Sequence, residues 1–143
     1  MLNRPYLLEG VIEKGDQLGR TLGFPTANLG NIQQLLPKAG VYFGYVWSDH
    51  ARDSHPAIME VPDNVWPAVM NIGTRPTLSS LVPQQRVEAH ILSDSIELNQ
   101  LYGYNAGFYF AARLRDEQKF ASLDDLKAQI KNDIQAARTT YCC

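Results

Sequence analysis

Thr26 and Asn28 carry oxygen-bearing side chains at a spacing that could support chemistry at a hard metal ion. They flank Ala27 and directly follow Phe24-Pro25. Pro25 fixes its own φ and favours an extended conformation at the residue before it. Alternate side chains of an extended chain share one side, so the hydroxyl and the amide oxygen would point the same way. Mg²⁺ prefers such oxygen ligands and takes much of its charge neutralisation from substrate phosphates.

The glycines around this segment suit the same interpretation. Gly19 and Gly23 stand before it, and glycine lets the backbone approach a phosphate closely. The alternative is an ordinary turn in which Thr26 and Asn28 hydrogen-bond their own backbone. The spacing alone favours the turn, so a metal site here needs support from other parts of the chain.

Glu88 is the candidate general base. Residues 86–91 alternate, with Arg86, Glu88 and His90 on one face and Val87, Ala89 and Ile91 on the other. A strand holds a carboxylate in place more firmly than a loop does, which suits a group that removes a proton. The plainer interpretation is the solvent-facing side of a half-buried strand, and these residues alone leave both open.

The segment 114–120 offers two further candidates. Arg115 presents a planar fork of donors that fits a phosphate or a ring carbonyl. Phe120 could contact a flat ring, although an aromatic just before a helix more often packs on its first turn.

The elements that must position these residues are mostly strands. Alternation predicts strands at 6–13, 41–47, 67–72, 86–93 and 106–113. Turn chemistry is predicted at 73–77, and 48–66 is predicted to be a long polar connection. Apolar residues recur at helical spacing over 122–138, with Ser122 as the N-cap and Asp124 and Asp125 in the first turn. Strands in this order without crossover helices favour a small antiparallel barrel with one helix over a parallel sheet.

Composition limits the classes of protein. With 143 residues, 45% hydrophobic and 20% charged, the chain is expected to form one globular domain over 1–143. A net charge of −2 gives no electrostatic signal for nucleic acid or an anionic membrane. Cys142 and Cys143 cannot form a disulfide framework, and without basic residues before them a prenylated tail is the weaker interpretation. No signal peptide or membrane span is visible, so a cytoplasmic protein is expected.

Together these segments resemble the riboflavin kinase (flavokinase) family, including the C-terminal kinase domain of bacterial bifunctional FAD synthetases. The resemblance covers nearly the whole chain and keeps the family's order. The matching segments are Gly10, Gly15, Gly19-Arg20, Phe24-Pro25-Thr26-Ala27-Asn28, Gly40-Val41-Tyr42-Phe43-Gly44, Asn71-Ile72-Gly73-Thr74-Arg75-Pro76-Thr77, Val87-Glu88-Ala89-His90-Ile91, Leu101-Tyr102-Gly103, Leu114-Arg115-Asp116-Glu117, Lys119-Phe120, Ser122-Leu123 and Gln129-Ile130 with Asp133.

The resemblance implies a Greek-key β-barrel with a C-terminal helix, and ATP-dependent phosphorylation of the riboflavin 5′-hydroxyl to FMN. It implies Thr26 and Asn28 as ligands of Mg²⁺, with Zn²⁺ or Mn²⁺ as alternatives, and Glu88 as the base. The remaining implied roles are ATP binding by Gly15, Arg20, Gly23, Thr26, Asn28, Ile91 and Tyr102, and flavin binding by Arg115, Glu117 and Phe120.

Two other functions stay open at this point. One is a non-catalytic barrel that binds a flavin or a nucleotide, and the other is a kinase on the same barrel with a different acceptor. The expected partners are riboflavin, FMN, ATP and ADP, with no nucleic acid and no membrane. A monomer is expected, either as a separate kinase or as an excised module of a bifunctional FAD synthetase, without the ability to make FAD.

Overall fold

Six strands and one helix make up most of the residues that the computed structural model describes, which are 6–14, 23–49, 65–77, 80–93, 98–118 and 120–140. The elements are β1 Tyr6–Glu13, β2 Ala27–Gly30, β3 Gly40–Ser48, β4 Val65–Thr77, β5 Ser80–Ile91, β6 Asn105–Arg115 and α1 Leu123–Thr140. A short 3₁₀ turn, Leu98–Gln100, lies between β5 and β6.

The strands close into an antiparallel barrel in the order β1-β2-β5-β4-β3-β6. Strands β3, β4 and β5 follow one another as neighbours, and β6 returns to pair with β3. This arrangement is a Greek key, in which the fourth strand lies beside the first of three consecutive strands. The predicted fold, a mainly β antiparallel Greek-key barrel with a C-terminal helix, is confirmed.

The core fills the barrel interior with every second side chain of each strand. Its largest members are aromatic, and Tyr42 packs edge-on against Phe110 with ring centroids 5.2 Å apart. Other inward residues are Leu8, Ile12, Ala27, Leu29, Met70, Ile72, Val87, Ala89 and Phe108. Because neighbouring side chains alternate, Asn28, Asn71 and Glu88 face outward.

Helix α1 covers part of the outer surface. Ala137 and Ile134 of the helix pack with Phe43 of β3 and Val69 of β4. The helix starts as predicted, since the Ser122 hydroxyl accepts a hydrogen bond of 3.1 Å from the Asp125 backbone N–H. The outer face therefore has an apolar area under the helix and a polar area beside it.

Strand β4 corrects the prediction of a turn at 73–77. These residues continue the ladder with β5, from Gly73 opposite Arg86 to Thr77 opposite Ser80. Pairing with β5 outweighs the turn preference of glycine and proline, because each paired residue extends the ladder between the two strands. The register shifts between Arg75 and Thr77, where Pro76 can stand without donating to the ladder.

Other boundaries also differ from the predictions, and the strand predicted at 86–93 is Ser80–Ile91, which begins six residues earlier. Strand β2 is a separate strand of four residues, whereas the sequence predicted only an extended chain through Asn28. The predicted connection at 48–66 is too long at both ends, since Ser48 belongs to β3 and Val65 begins β4. Its remaining part, 50–64, lies outside the described residues. Over the described parts of the chain, no helix is both long enough and apolar enough to cross a membrane.

Candidate active site

A row of outward side chains crosses five neighbouring strands. Asn28 of β2 lies opposite Glu88 of β5, and Glu88 lies opposite Asn71 of β4. The row continues from Asn71 to Val41 of β3 and from Val41 to Arg115 of β6. Residues directly opposite each other in a ladder share a face, with Cβ atoms about 5 Å apart. Barrel closure thus brings together side chains from distant parts of the sequence.

A cavity of about 310 Å³ lies over the part of this row that runs from Glu88 to Arg115, and Asn28 is not among its lining residues. The barrel forms its floor, α1 forms one wall, and the segment after β6 forms part of its rim. The lining includes Thr26, Val41, Val69, Asn71, Glu88, His90 and Arg115 from the barrel side, Leu126, Ile130, Asp133 and Ile134 from the helix, and Glu117, Gln118 and Phe120 from the rim. The volume is at the lower end of the range for small-molecule sites.

His90 anchors the segment that carries Thr26. Its Nδ1 lies 2.9 Å from the Pro25 carbonyl oxygen, and its ring meets Phe24 edge-on at 5.7 Å between centroids. Gly23, at the start of this segment, has φ +91°, a conformation that glycine adopts without strain. His90 of β5 therefore contacts this segment directly before Thr26.

Burial lowers the pKa of His90, because the charged imidazolium loses hydration; the hydrogen bond with Pro25 opposes this shift, and the charge of Arg138 adds to it. The unfolded chain then binds more protons at His90 than the folded chain, so the free energy of unfolding falls as the pH falls through the ordinary histidine value of 6.5.

We expect His90→Gln to remove this part of the pH dependence. Urea unfolding at about pH 5.5 and about pH 7.5 measures it, since these values bracket the histidine pKa.

The comparison isolates His90, because His50 and His55 are present in both proteins. The free energy of unfolding of the wild type should fall more on acidification than that of the variant. Parallel pH profiles would show that His90 is not the group that titrates.

Arg115 is bound to the helix. Its Nε and Nη2 donate to the two carboxylate oxygens of Asp133 at 2.9 and 2.7 Å, and its Nη1 donates to the Asp116 carbonyl at 2.9 Å. Gln129 adds a hydrogen bond of 3.0 Å to the same carboxylate. The Arg115 guanidinium, which the sequence analysis expected to bind a phosphate or a ring carbonyl, therefore joins β6 to α1. Its direct contact with a flavin stays a prediction.

The rim of the cavity holds Glu117 and Phe120. The Glu117 carboxylate packs so closely over Gly73 of β4 that a Cβ at that glycine would collide with it. The segment after β6 thus lies across β4 beside the polar row. Both side chains line the cavity, and their roles toward a flavin stay predictions.

The remaining predicted residues lie elsewhere. Gly15 and Arg20 are outside the described residues. Ile91 and Tyr102 pack against the barrel core, and the Lys14 ammonium lies 5.3 Å from the centre of the Tyr102 ring. Neither Ile91 nor Tyr102 lines the cavity with Thr26 and Glu88, so their roles in ATP binding are not tested by this arrangement.

Asn71 and Asp133 are polar residues of the cavity to which the sequence assigned no role. Asn71 stands between the inward residues Met70 and Ile72, and a polar residue in such an alternating strand was a signal for an outward position. Asp133 is only 7% exposed on the inner face of α1, and an acidic residue among the apolar positions of a helix was the available signal there. The side chains that surround Asn71 and Asp133, however, belong to other strands and helices, so the local sequence does not identify them.

The oxygen donors of the site fit Mg²⁺. No group of three or more His, Cys, Asp or Glu side chains that could hold a metal ion occurs among the described residues. Thr26 and Asn28 supply neutral oxygens beside the Glu88 carboxylate on the same surface. This donor set suits a hard cation that is shared with the phosphates of a nucleotide.

Comparison with known proteins agrees with the fold and identifies the family. The family model described as riboflavin kinase (flavokinase) matches residues 2–141. The bifunctional riboflavin kinase/FMN adenylyltransferase of Escherichia coli K12 is 38% identical over 99% of this chain and 40% of its own length. Its counterpart from Bacillus subtilis is 36% identical over 96% of this chain and 39% of its own length.

Solved structures are similar as well. A protein from Streptococcus pneumoniae described as a macrolide-efflux protein has a TM-score of 0.70 at 27% identity and covers 96% of this chain and 39% of its own. Riboflavin kinase from Trypanosoma brucei has a TM-score of 0.59 at 24% identity and covers 95% of this chain and 79% of its own, which supports the fold. The chain spans about two fifths of the length of the curated relatives it matches. By the extent of the family match, this chain belongs to the riboflavin kinase family.

Proposed function

We propose that this chain transfers the γ-phosphate of ATP to the 5′-hydroxyl of riboflavin, giving FMN and ADP. The observation that carries the proposal is that Thr26 and Glu88 line the same cavity and that Asn28 lies opposite Glu88 in the ladder. The other parts of the bifunctional relatives are not matched by this chain, so the proposal covers phosphorylation and not the transfer of an adenylyl group.

The proposed reaction is an in-line displacement at the γ-phosphorus. The ribityl 5′-oxygen forms a bond to phosphorus while the bond to the β,γ-bridging oxygen breaks, and ADP leaves with those electrons. Glu88 accepts the proton of the 5′-hydroxyl as the new bond forms. Phosphoryl transfer mainly requires alignment and charge stabilisation, and a carboxylate on a paired strand is well suited to alignment.

Thr26 and Asn28 are the proposed ligands of Mg²⁺, which neutralises phosphate charge when bound. Their position next to Glu88 would place the nucleotide phosphates at the β2 end of the row. The apolar part of the cavity, with Val41, Val69 and Ile130, would then face the isoalloxazine ring.

The direct test incubates the chain with riboflavin, ATP and Mg²⁺ and follows FMN by chromatography. FMN formation that requires all three supports the proposal. A binding protein without catalysis would give no FMN, and a kinase with another acceptor would consume ATP only when that acceptor is present.

The metal site is tested by Thr26→Ala and Asn28→Ala. Each variant should weaken the binding of Mg-ATP and reduce turnover, by roughly tenfold or more, since even groups that only support a metal ligand have effects of that size. Titration of initial rates with Mg²⁺ at fixed ATP measures the change. Asn105→Ala is the control, because Asn105 is an exposed residue of β6 that lies opposite Val11 of β1 and not in the row of Asn28 and Glu88. An unchanged Mg²⁺ dependence in both site variants would place the metal elsewhere.

A further inference from the structure

Asn71 carries an unpartnered polar atom beside the proposed catalytic residue. Its Oδ1 is buried and has no hydrogen-bond partner among the described residues. Buried acceptors are nearly always paired in folded proteins, and an exception at a cavity wall points to a donor that the bound ligand supplies. Because Asn71 lines the cavity, that donor would belong to the substrate.

The position of Asn71 in the row indicates which part of the substrate it meets. Glu88 stands between Asn28 on one side and Asn71 on the other. The proposed metal and phosphate site lies on the Asn28 side. Beyond Asn71 the row continues to Val41 and Arg115, toward the apolar part of the cavity. A substrate with its reacting hydroxyl at Glu88 and its ring in the apolar part must pass Asn71 in between.

The part of riboflavin between the ring and the 5′-hydroxyl is the ribityl chain, which carries hydroxyl donors. Directly opposite side chains in a ladder are about 5 Å apart at Cβ, a distance that a few carbons of a polyol chain span. We propose that Asn71 accepts a hydrogen bond from an inner ribityl hydroxyl, at the 3′ or 4′ position, and so selects flavins that carry the polyol. This inference rests on the proposed kinase function and adds a residue that recognises the acceptor.

The surroundings of Asn71 argue against a purely structural role for its amide oxygen. Met70 and Ile72, its neighbours in β4, are fully buried in the barrel and hold the strand in place. The Oδ1 atom makes no bond to another described residue that would stabilise the fold. An apolar side chain of similar size beside Val41 and Val69 therefore removes the acceptor without breaking an intramolecular hydrogen bond of that atom.

The test compares riboflavin with lumiflavin, which has a methyl group in place of the ribityl chain. Quenching of flavin fluorescence gives a Kd for each compound with the wild type, Asn71→Leu and the control Asn105→Leu. We expect Asn71→Leu to weaken riboflavin binding about three- to tenfold, the scale of one neutral hydrogen bond, and to leave lumiflavin binding unchanged. The KM for ATP should also stay unchanged, and Asn105→Leu should match the wild type in all three measurements.

Three results would overturn the assignment: equal loss for both flavins, loss for lumiflavin alone, or no loss for either. If Asn71→Leu does not fold, Asn71→Ser and Asn71→Ala replace it, since serine keeps a short acceptor and alanine has none. Tighter riboflavin binding by the serine variant than by the alanine variant supports the proposal, and equal binding by the two variants contradicts it.

A wild type that binds riboflavin without forming FMN refutes the kinase function alone, because the binding comparison can still be made. A wild type that binds no riboflavin refutes both.

Discussion

Glu88→Gln is expected to lower kcat by about 10²–10⁴, the range for loss of a general base, while the binding of Mg-ATP stays largely intact. The amide keeps the size of the side chain and its place opposite Asn28 and Asn71 but cannot accept the proton of the 5′-hydroxyl. Steady-state rates of FMN formation measure kcat, and a titration with a fluorescent ATP analogue measures nucleotide binding.

Glu13 provides the sharpest comparison for this assignment. It lies opposite Asn28 on the other side of β2, so it is a second carboxylate beside the proposed metal ligand. It does not line the cavity, and we expect Glu13→Gln to retain most of the wild-type kcat. A variant Glu88→Gln that turns over at the full rate would remove Glu88 from the mechanism. Loss of turnover in Glu13→Gln alone would transfer the role of base to Glu13.

Among the proposed substitutions, Asp133→Ala is expected to lower the free energy of unfolding the most. Asp133 and Arg115 side chains are 8% and 20% exposed, and the two groups form a bidentate ion pair between α1 and β6. Removing the carboxylate leaves a mostly buried guanidinium without its partner. The free energy of unfolding should therefore fall by about 2–4 kcal/mol, somewhat below the range for fully buried pairs. For a domain of this size the Tm should fall by roughly 10 °C.

Asp116→Ala is the matched control, since it removes a carboxylate from a neighbouring arginine at the surface. The Asp116 carboxylate accepts a hydrogen bond of 2.6 Å from Arg113, but its side chain is 76% exposed. Exposed pairs contribute little, so its Tm should change much less. A double-mutant cycle with Arg115→Ala measures the coupling energy of the buried pair directly. Coupling near zero would show that the ion pair does not hold the helix to the barrel.

The pair also connects stability to the site. Arg115, Asp133 and the rim residue Glu117 all line the cavity, so the groups that join α1 to β6 also shape the wall where a flavin would bind. Asp133→Ala is therefore expected to raise the KM for riboflavin more than the KM for ATP, at a temperature where the variant is folded.

Much of the local structure was accessible from the sequence. The alternation around Glu88 predicted which face of β5 is buried, and Ala89 and Val87 do lie in the core. The helical spacing of apolar residues and Ser122 predicted α1 and its first turn. Errors occurred where local preference and pairing conflict, as at 73–77, where turn-forming residues continue a strand because the partner strand extends beside them.

The sequence by itself determined the alternation of inward and outward residues, the helix, and the family, because strand and helix periods are local properties and the motifs keep their order. Only the tertiary structure decided that Asn28, Glu88 and Asn71 stand side by side, and that Arg115 pairs with Asp133. The register between strands far apart in the chain depends on closure of the barrel around its core, which no local pattern encodes. The contacts of a side chain such as Asn71 are therefore defined by residues that are distant in the sequence.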